Sequence, residues 1–122
     1  MTKINEKLII PISGSSGDNH YIKFSDGTLI CYGLCPETNT AHNKTSTASV
    51  SFAESFISDP SINLSIRATN EQSAQYLFAQ VGDNPTGGHL TGFTLRTRNS
   101  GTATSGQDWA ARVYYQAIGK WK

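Results

Sequence analysis

Short runs in which apolar and polar residues alternate one by one, each closed by a cluster of Gly, Pro, Asn or Ser, limit what this chain can fold into more than any other feature. A side chain returning to the same face at every second residue is the period of a β-strand, and it lays down no continuous apolar stripe on a helix. GFTLRTRN puts Phe93 and Leu95 on one side and Thr94, Arg96 and Arg98 on the other. SINLSIR sets Ile62, Leu64 and Ile66 inward against Ser61, Asn63, Ser65 and Arg67. In WAARVYYQAIGKW, Ala111, Val113, Tyr115 and Ala117 share one face, and Arg112, Tyr114, Gln116 and Ile118 the other. SVSF adds Val50 and Phe52 on one side, with Phe56 in the connector before Pro60. NEQSAQYLFAQVG is compatible with helix through its Gln, Ala and Leu, but its neighbours are strands and turns, so it is read as strand. The spacing predicts about seven short strands, the number that closes a small antiparallel β-sandwich, so the fold class is all-β.

YIKFSDGTLICYG reads as a hairpin around a two-residue Asp26-Gly27 turn. That turn pairs Ile22 with Cys31 and Tyr21 with Tyr32. Ile22, Phe24, Leu29 and Cys31 then form the core face, and Tyr21, Lys23, Ile30 and Tyr32 the other. Two faces with large side chains raise the question of what the second one covers. Upstream, SGSSGDN has a flexible-linker composition, so residues 1–20 are expected to be a short segment plus a Gly/Ser-rich linker and residues 21–122 the domain.

At 122 residues the chain suffices for one hydrophobic core. A net charge of +1 with scattered basic residues argues against a nucleic-acid partner, since phosphate recognition needs clustered Lys and Arg. No apolar run approaches a membrane span, and LIIPI is too short for a signal-peptide core, so neither membrane insertion nor secretion is expected. The two cysteines, Cys31 and Cys35, would lie about 13 Å apart on one extended strand, beyond disulfide reach, although a turn at Gly33 could bring them together. The reading is a core Cys31, a loop thiol at Cys35 and synthesis in a reducing cytoplasm.

No chemistry-bearing constellation stands out. SGSSG lacks the strand-to-helix setting of a nucleophile elbow. His20, His42 and His89 fall in separate loops without metal-ligand spacing, so no metal or cofactor is expected. Asp83 and Asp108 are the acids best placed for a glycosidase pair, but an Asp beside Gly ordinarily caps a turn. What remains is a set of outward rings and planar donors: Tyr21, Tyr32, Trp109, Tyr114, Trp121, Arg96, Arg98 and Arg112. Rings that stack on sugar C–H faces beside hydroxyl-pairing donors build shallow glycan sites, and the same residue types build protein interfaces. Composition alone favours the interface.

Four stretches occur in an order and spacing that resemble the C-terminal domain of bacteriophage tail-fibre proteins: YIKFSDGTLICYG, SVSFAESFISDPSINLSI, TGFTLRTRNSGT and VYYQAIGKW. The resemblance is to the gp53-like group, similar in fold to the H-type lectins, and it covers residues 21–122. It implies a non-enzymatic β-sandwich that trimerises at a fibre tip in the virion and binds a bacterial surface receptor, often a glycan. From the outward rings, donors and nearby acid, the glycan contacts expected are Arg96, Arg98, Asp108, Trp109, Arg112 and Tyr114, and from the second hairpin face the subunit contacts are Tyr21, Ile30 and Tyr32. A closed homotrimer would also cover apolar surface that a thin sandwich leaves exposed. The alternatives are a structural cap or assembly domain of the fibre without its own ligand, and a polysaccharide hydrolase working through Asp83 or Asp108.

Overall fold

The hairpin forms one residue out of the expected register. In the computed structural model, which describes residues 11–40, 44–68, 77–82, 88–100 and 109–122, β2 (Asn19–Lys23) pairs with β3 (Thr28–Leu34). Lys23 faces Leu29, Ile22 faces Ile30, Tyr21 faces Cys31 and His20 faces Tyr32. The turn is the cause. Phe24 N–H donates to Thr28 O at 2.8 Å and Gly27 N–H to Phe24 O at 3.1 Å, while Asp26 Oδ1 accepts from Thr28 N–H at 2.8 Å. Gly27 adopts φ 101°. This is a three-residue loop closed by a glycine bulge, not a two-residue turn, and the extra residue turns every side chain of β2 to the opposite face. Leu29 and Cys31 are fully buried as expected. Tyr21, however, packs against the core in place of Ile22, which lies outside with His20, Ile30 and Tyr32.

SGSSGDN is part of the sheet, which corrects the linker reading. β1 (Ile12–Ser16) pairs antiparallel with β2, Ser16 opposite Asn19 across Gly17-Asp18, and the Tyr21 ring lies so close over Gly14 that a Cβ there would stand 2.6 Å from it. A Gly/Ser strand buries little, so its ladder to β2 and this ring contact hold it in place. The sheet thus begins inside segment 1–20; residues 1–10 lie outside the described residues.

The long strand β9 (Trp109–Lys120) is the spine of the first sheet. β3 runs along one edge of it, from Leu34 opposite Tyr114 to Thr28 opposite Lys120, and β4 (Thr38–Thr40) continues that edge. β6 (Ser61–Ala68) takes the other edge. The second sheet is β5 (Lys44–Ser51), β8 (Gly92–Asn99) and β7 (Leu77–Val81), with β8 central. Both sheets are antiparallel, and no helix occurs among the described residues. NEQSAQYLFAQVG is a strand over its last part, as β7; residues 69–76 lie outside the described residues.

Between the sheets, Leu29, Cys31, Val113, Tyr115 and Ala117 of the first meet Val50, Leu77, Phe93 and Leu95 of the second. Phe52 and Phe56 fill the junction, with Phe52 edge-on to Phe56 at 5.2 Å and Phe93 edge-on to Tyr115 at 5.5 Å. Cys35 lies in the connection after β3, as expected, but is buried: its N–H donates to Val113 O at 2.8 Å, which draws the side chain into the core. Both cysteines are free, and burial pushes their thiols up to about 11. Ile66, expected inward, is 37% exposed because β6 is an edge strand with nothing of the first sheet beyond it.

At one end the core turns polar. Thr97 and Asn99 continue the inward register of Phe93 and Leu95 and are fully buried. Asn99 Nδ2–H donates to Thr40 O at 2.9 Å, and the Thr40 and Thr97 hydroxyls share a hydrogen bond of 3.2 Å. These bonds tie β4 of the first sheet to β8 of the second.

Candidate functional site

The expected glycan contacts divide between two surfaces. Arg96 and Arg98 project from β8 on the outer face of the second sheet, whereas Arg112 and Tyr114 project from β9 on the outer face of the first. The buried core separates these faces, so the four residues do not form one site. The Trp109 backbone pairs with Thr40, and its side chain lies outside the described residues, as do Asp108, Asp83 and His42.

On the second sheet, Arg96 and Arg98 border a shallow cavity of about 200 Å³ with Thr45, Phe78 and Gln80. The ladder dictates this grouping: Arg98 lies between Phe78 and Thr45, and Gln80 is opposite Arg96. The Phe78 ring is 57% exposed. Arg98 Nη1–H donates to Thr45 Oγ1 at 3.3 Å, which steadies the guanidinium beside the ring. Sequence reasoning missed Phe78 because it lay in the stretch whose period was ambiguous.

On the first sheet, pairing across β6, β9, β3 and β2 builds parallel rows of outward side chains. One row is Ser61, Ile118, Ile30 and Ile22; the next is Asn63, Gln116, Tyr32 and His20; the next is Ser65, Tyr114 and Leu34; the last is Arg67 and Arg112. Two clefts open on these rows. One, of about 330 Å³, lies among Asp18, His20, Tyr32, Leu34 and Tyr114. The other, of about 180 Å³, lies among Asn63, Ser65, Tyr114 and Gln116. Tyr114 is the ridge between them, and Tyr115 contributes to the floor of both.

The Tyr115 hydroxyl donates to Asn19 Oδ1 at 2.6 Å, and burial raises its pKa well above the usual phenol value, so it stays protonated. His20 stacks on Tyr32 with ring centroids 5.2 Å apart. Among the expected subunit contacts, Ile30 and Tyr32 share the outer face with Ile22 and Ile118, while Tyr21 is turned inward by the hairpin register. Asn63, Ser65, Arg67 and Gln116 were legible as outward residues. Their assembly into rows was not, because it depends on β6 pairing with a strand about fifty positions later.

His89 is a staple between loops: its N–H donates to Asp59 Oδ1 at 2.9 Å, and its Nε2 lies 3.0 Å from Gly82 O. Among the described residues no group of three His, Cys, Asp or Glu could hold a metal ion.

The architecture, two packed antiparallel sheets, is similar to that of solved tail-fibre chains. It superposes on two solved fibre chains over 97% of its length: the P. aeruginosa R1 pyocin fibre comprising C-terminal residues 323–701, at TM-score 0.66 and 12% identity, and an N-truncated R1-type pyocin tail fibre, at TM-score 0.65 and 13% identity. The chain spans 30% of the first and 93% of the second. No protein-family model and no curated protein matches the sequence. The likeness is one of fold, which fixes neither role nor ligand.

Proposed function

We propose that this chain is the receptor-binding head of a gp53-like, H-type-lectin-like phage tail fibre, attaching the virion to a glycan on a bacterial surface without chemistry of its own. The observation that carries the reading is the extent of the structural match, which runs over nearly the whole chain and nearly the whole of one truncated fibre. The clefted outer faces support it further, because each offers an exposed ring beside planar or hydroxyl donors, the chemistry of shallow sugar sites. Arg112 and Tyr114 act on the first sheet and Arg96 and Arg98 on the second, with Asp108 and Trp109 as further contacts. The apolar row of Ile22, Ile30 and Ile118, with Tyr32 beside it, supports subunit contact in a homotrimer made in the host cytoplasm. Repeated sites would then raise weak single-site affinity by multivalency.

The test is binding of the labelled chain to bacteria, with competition by their purified surface polysaccharide, for the native chain, Tyr114→Ala and Ile30→Asp. Lost attachment at unchanged mass in Tyr114→Ala supports a receptor head. Lost assembly in that variant, with no competable cell binding by the native chain, supports the structural-cap alternative. A native mass of one chain at micromolar concentration refutes the trimer.

A further inference from the structure

The strand registers set two arginines face to face. Arg67 of β6 and Arg112 of β9 are direct partners, both exposed, which puts their Cβ atoms roughly 4.5–5.5 Å apart. Like charges directly opposite one another weaken a sheet. Among the described residues neither guanidinium is in an ion pair, and Glu37, the acid flanking β4, forms none with Arg112. A cation pair that no described acid neutralises is an unfavourable arrangement for the fold alone and a favourable one for an oxyanion, which two forked guanidiniums bind through parallel N–H···O bonds.

The pair also has a neighbour that points to the rest of the ligand. One step along both strands brings Ser65 opposite Tyr114, and a second brings Asn63 opposite Gln116, around the cleft of about 180 Å³. Each step is about 6.7 Å, so the Arg pair and the amide pair stand about 13 Å apart with the tyrosine ring between them. A sugar ring can lie against Tyr114, its hydroxyls meeting the Asn63 and Gln116 amides and the Ser65 hydroxyl, while a charged substituent reaches the arginines. Resting on the glycan-binding reading above, we propose that this face binds an anionic saccharide, its carboxylate or phosphate held between Arg67 and Arg112.

The experiment measures binding of the full chain to a panel of polyuronates and phosphodiester-linked polysaccharides, each beside its carboxyl-reduced or phosphate-free counterpart, for the native chain, Arg67→Gln, Arg112→Gln and the double variant. The native chain is expected to prefer the charged form at least tenfold, less so as salt rises, and the double variant to lose that preference while still binding the neutral form. The matching pairs separate a carboxylate ligand from a phosphate one. Melting temperatures serve as the folding control: relief of like-charge repulsion predicts that neither single variant melts below the native chain. Equal binding of charged and neutral forms, or a charged preference that survives in the double variant, overturns the anionic site and leaves the glycan reading standing. Absence of binding to every saccharide, host polysaccharide included, overturns both. Oligonucleotide binding as tight as the best saccharide also overturns the proposal, since it would reduce the site to general cation attraction.

Discussion

Replacing Gly27 with alanine tests the loop that sets the register of the hairpin. Gly27 adopts φ 101°, and a Cβ built there would stand 2.9 Å from the Lys122 carbonyl oxygen. A non-glycine residue in such a conformation costs about 1–3 kcal/mol. The clash adds to this by pushing away the terminal segment, whose Trp121 N–H donates to Gly27 O at 2.9 Å and whose Trp121 Nε1–H donates to Phe24 O at 2.8 Å. Each such bond contributes about 1 kcal/mol net, so the total expected loss with both bonds gone is about 3–5 kcal/mol, a large share of the roughly 5–15 kcal/mol of an ordinary domain. Gly17→Ala is the internal control: Gly17 adopts φ 61°, but a Cβ there meets nothing within 4 Å. It should therefore show the backbone cost of about 1–2 kcal/mol alone. Urea unfolding followed by tryptophan fluorescence reads both, with an unchanged denaturant slope confirming that stability itself has moved. A Gly27→Ala chain within about 0.5 kcal/mol of the native one, or no less stable than Gly17→Ala, would refute the assignment of the turn.

The core makes further claims. Leu95, fully buried between the sheets, should lose about 2–5 kcal/mol as Leu95→Ala in the same unfolding assay. Asn99→Ala leaves the buried Thr40 carbonyl without its donor and should cost about 1–3 kcal/mol, with faster amide exchange in β4 as the local readout. The Cys31 and Cys35 thiols, raised to about 11 by burial, should resist alkylation at pH 8 in the native chain and react once it is unfolded in urea. The same shift fixes a sign: unfolded thiols lose their protons near pH 9.0 while folded ones hold theirs to about 11, so melting temperature should fall as pH rises through that window.

The period of the strands was legible wherever one face is apolar and the other polar. β8 and β9 from Arg112 onward face as the alternation requires, because a wrong face there would drive Arg96 or Arg112 into the core. The reading failed where alternation could not decide. Tyr21, Ile22, Lys23 and Phe24 are large on both faces, so the pattern alone accepts either register, and the choice passed to a loop whose length the letters Asp-Gly do not determine. β1 escaped notice because its serines and glycine carry no apolar signal. Thr97 and Asn99 escaped because a buried polar residue is satisfied only by partners far off in sequence, here Thr40.

The candidate site follows the same logic one level up. Alternation gives the face of each residue on its own strand, so Arg67, Arg112 and Tyr114 could each be seen to point outward. It says nothing about which sheet a strand joins, and the first expectation therefore grouped Arg96 and Arg98 with Arg112 and Tyr114 across what is in fact the core. Pairing of β6 with β9 replaces that grouping by another: Arg67 beside Arg112, Ser65 beside Tyr114, Asn63 beside Gln116. The fold thus carries the surface chemistry of the first sheet in rows fixed by non-local register. A one-residue slip of β6 against β9 would leave the backbone ladder nearly intact while turning Arg67, Ser65 and Asn63 away from Tyr114. The apolar side chains Ile62 and Leu64, packed against the core from the same strand, are what forbid that slip, so the core that holds the sandwich together also fixes which side chains meet on the outer face.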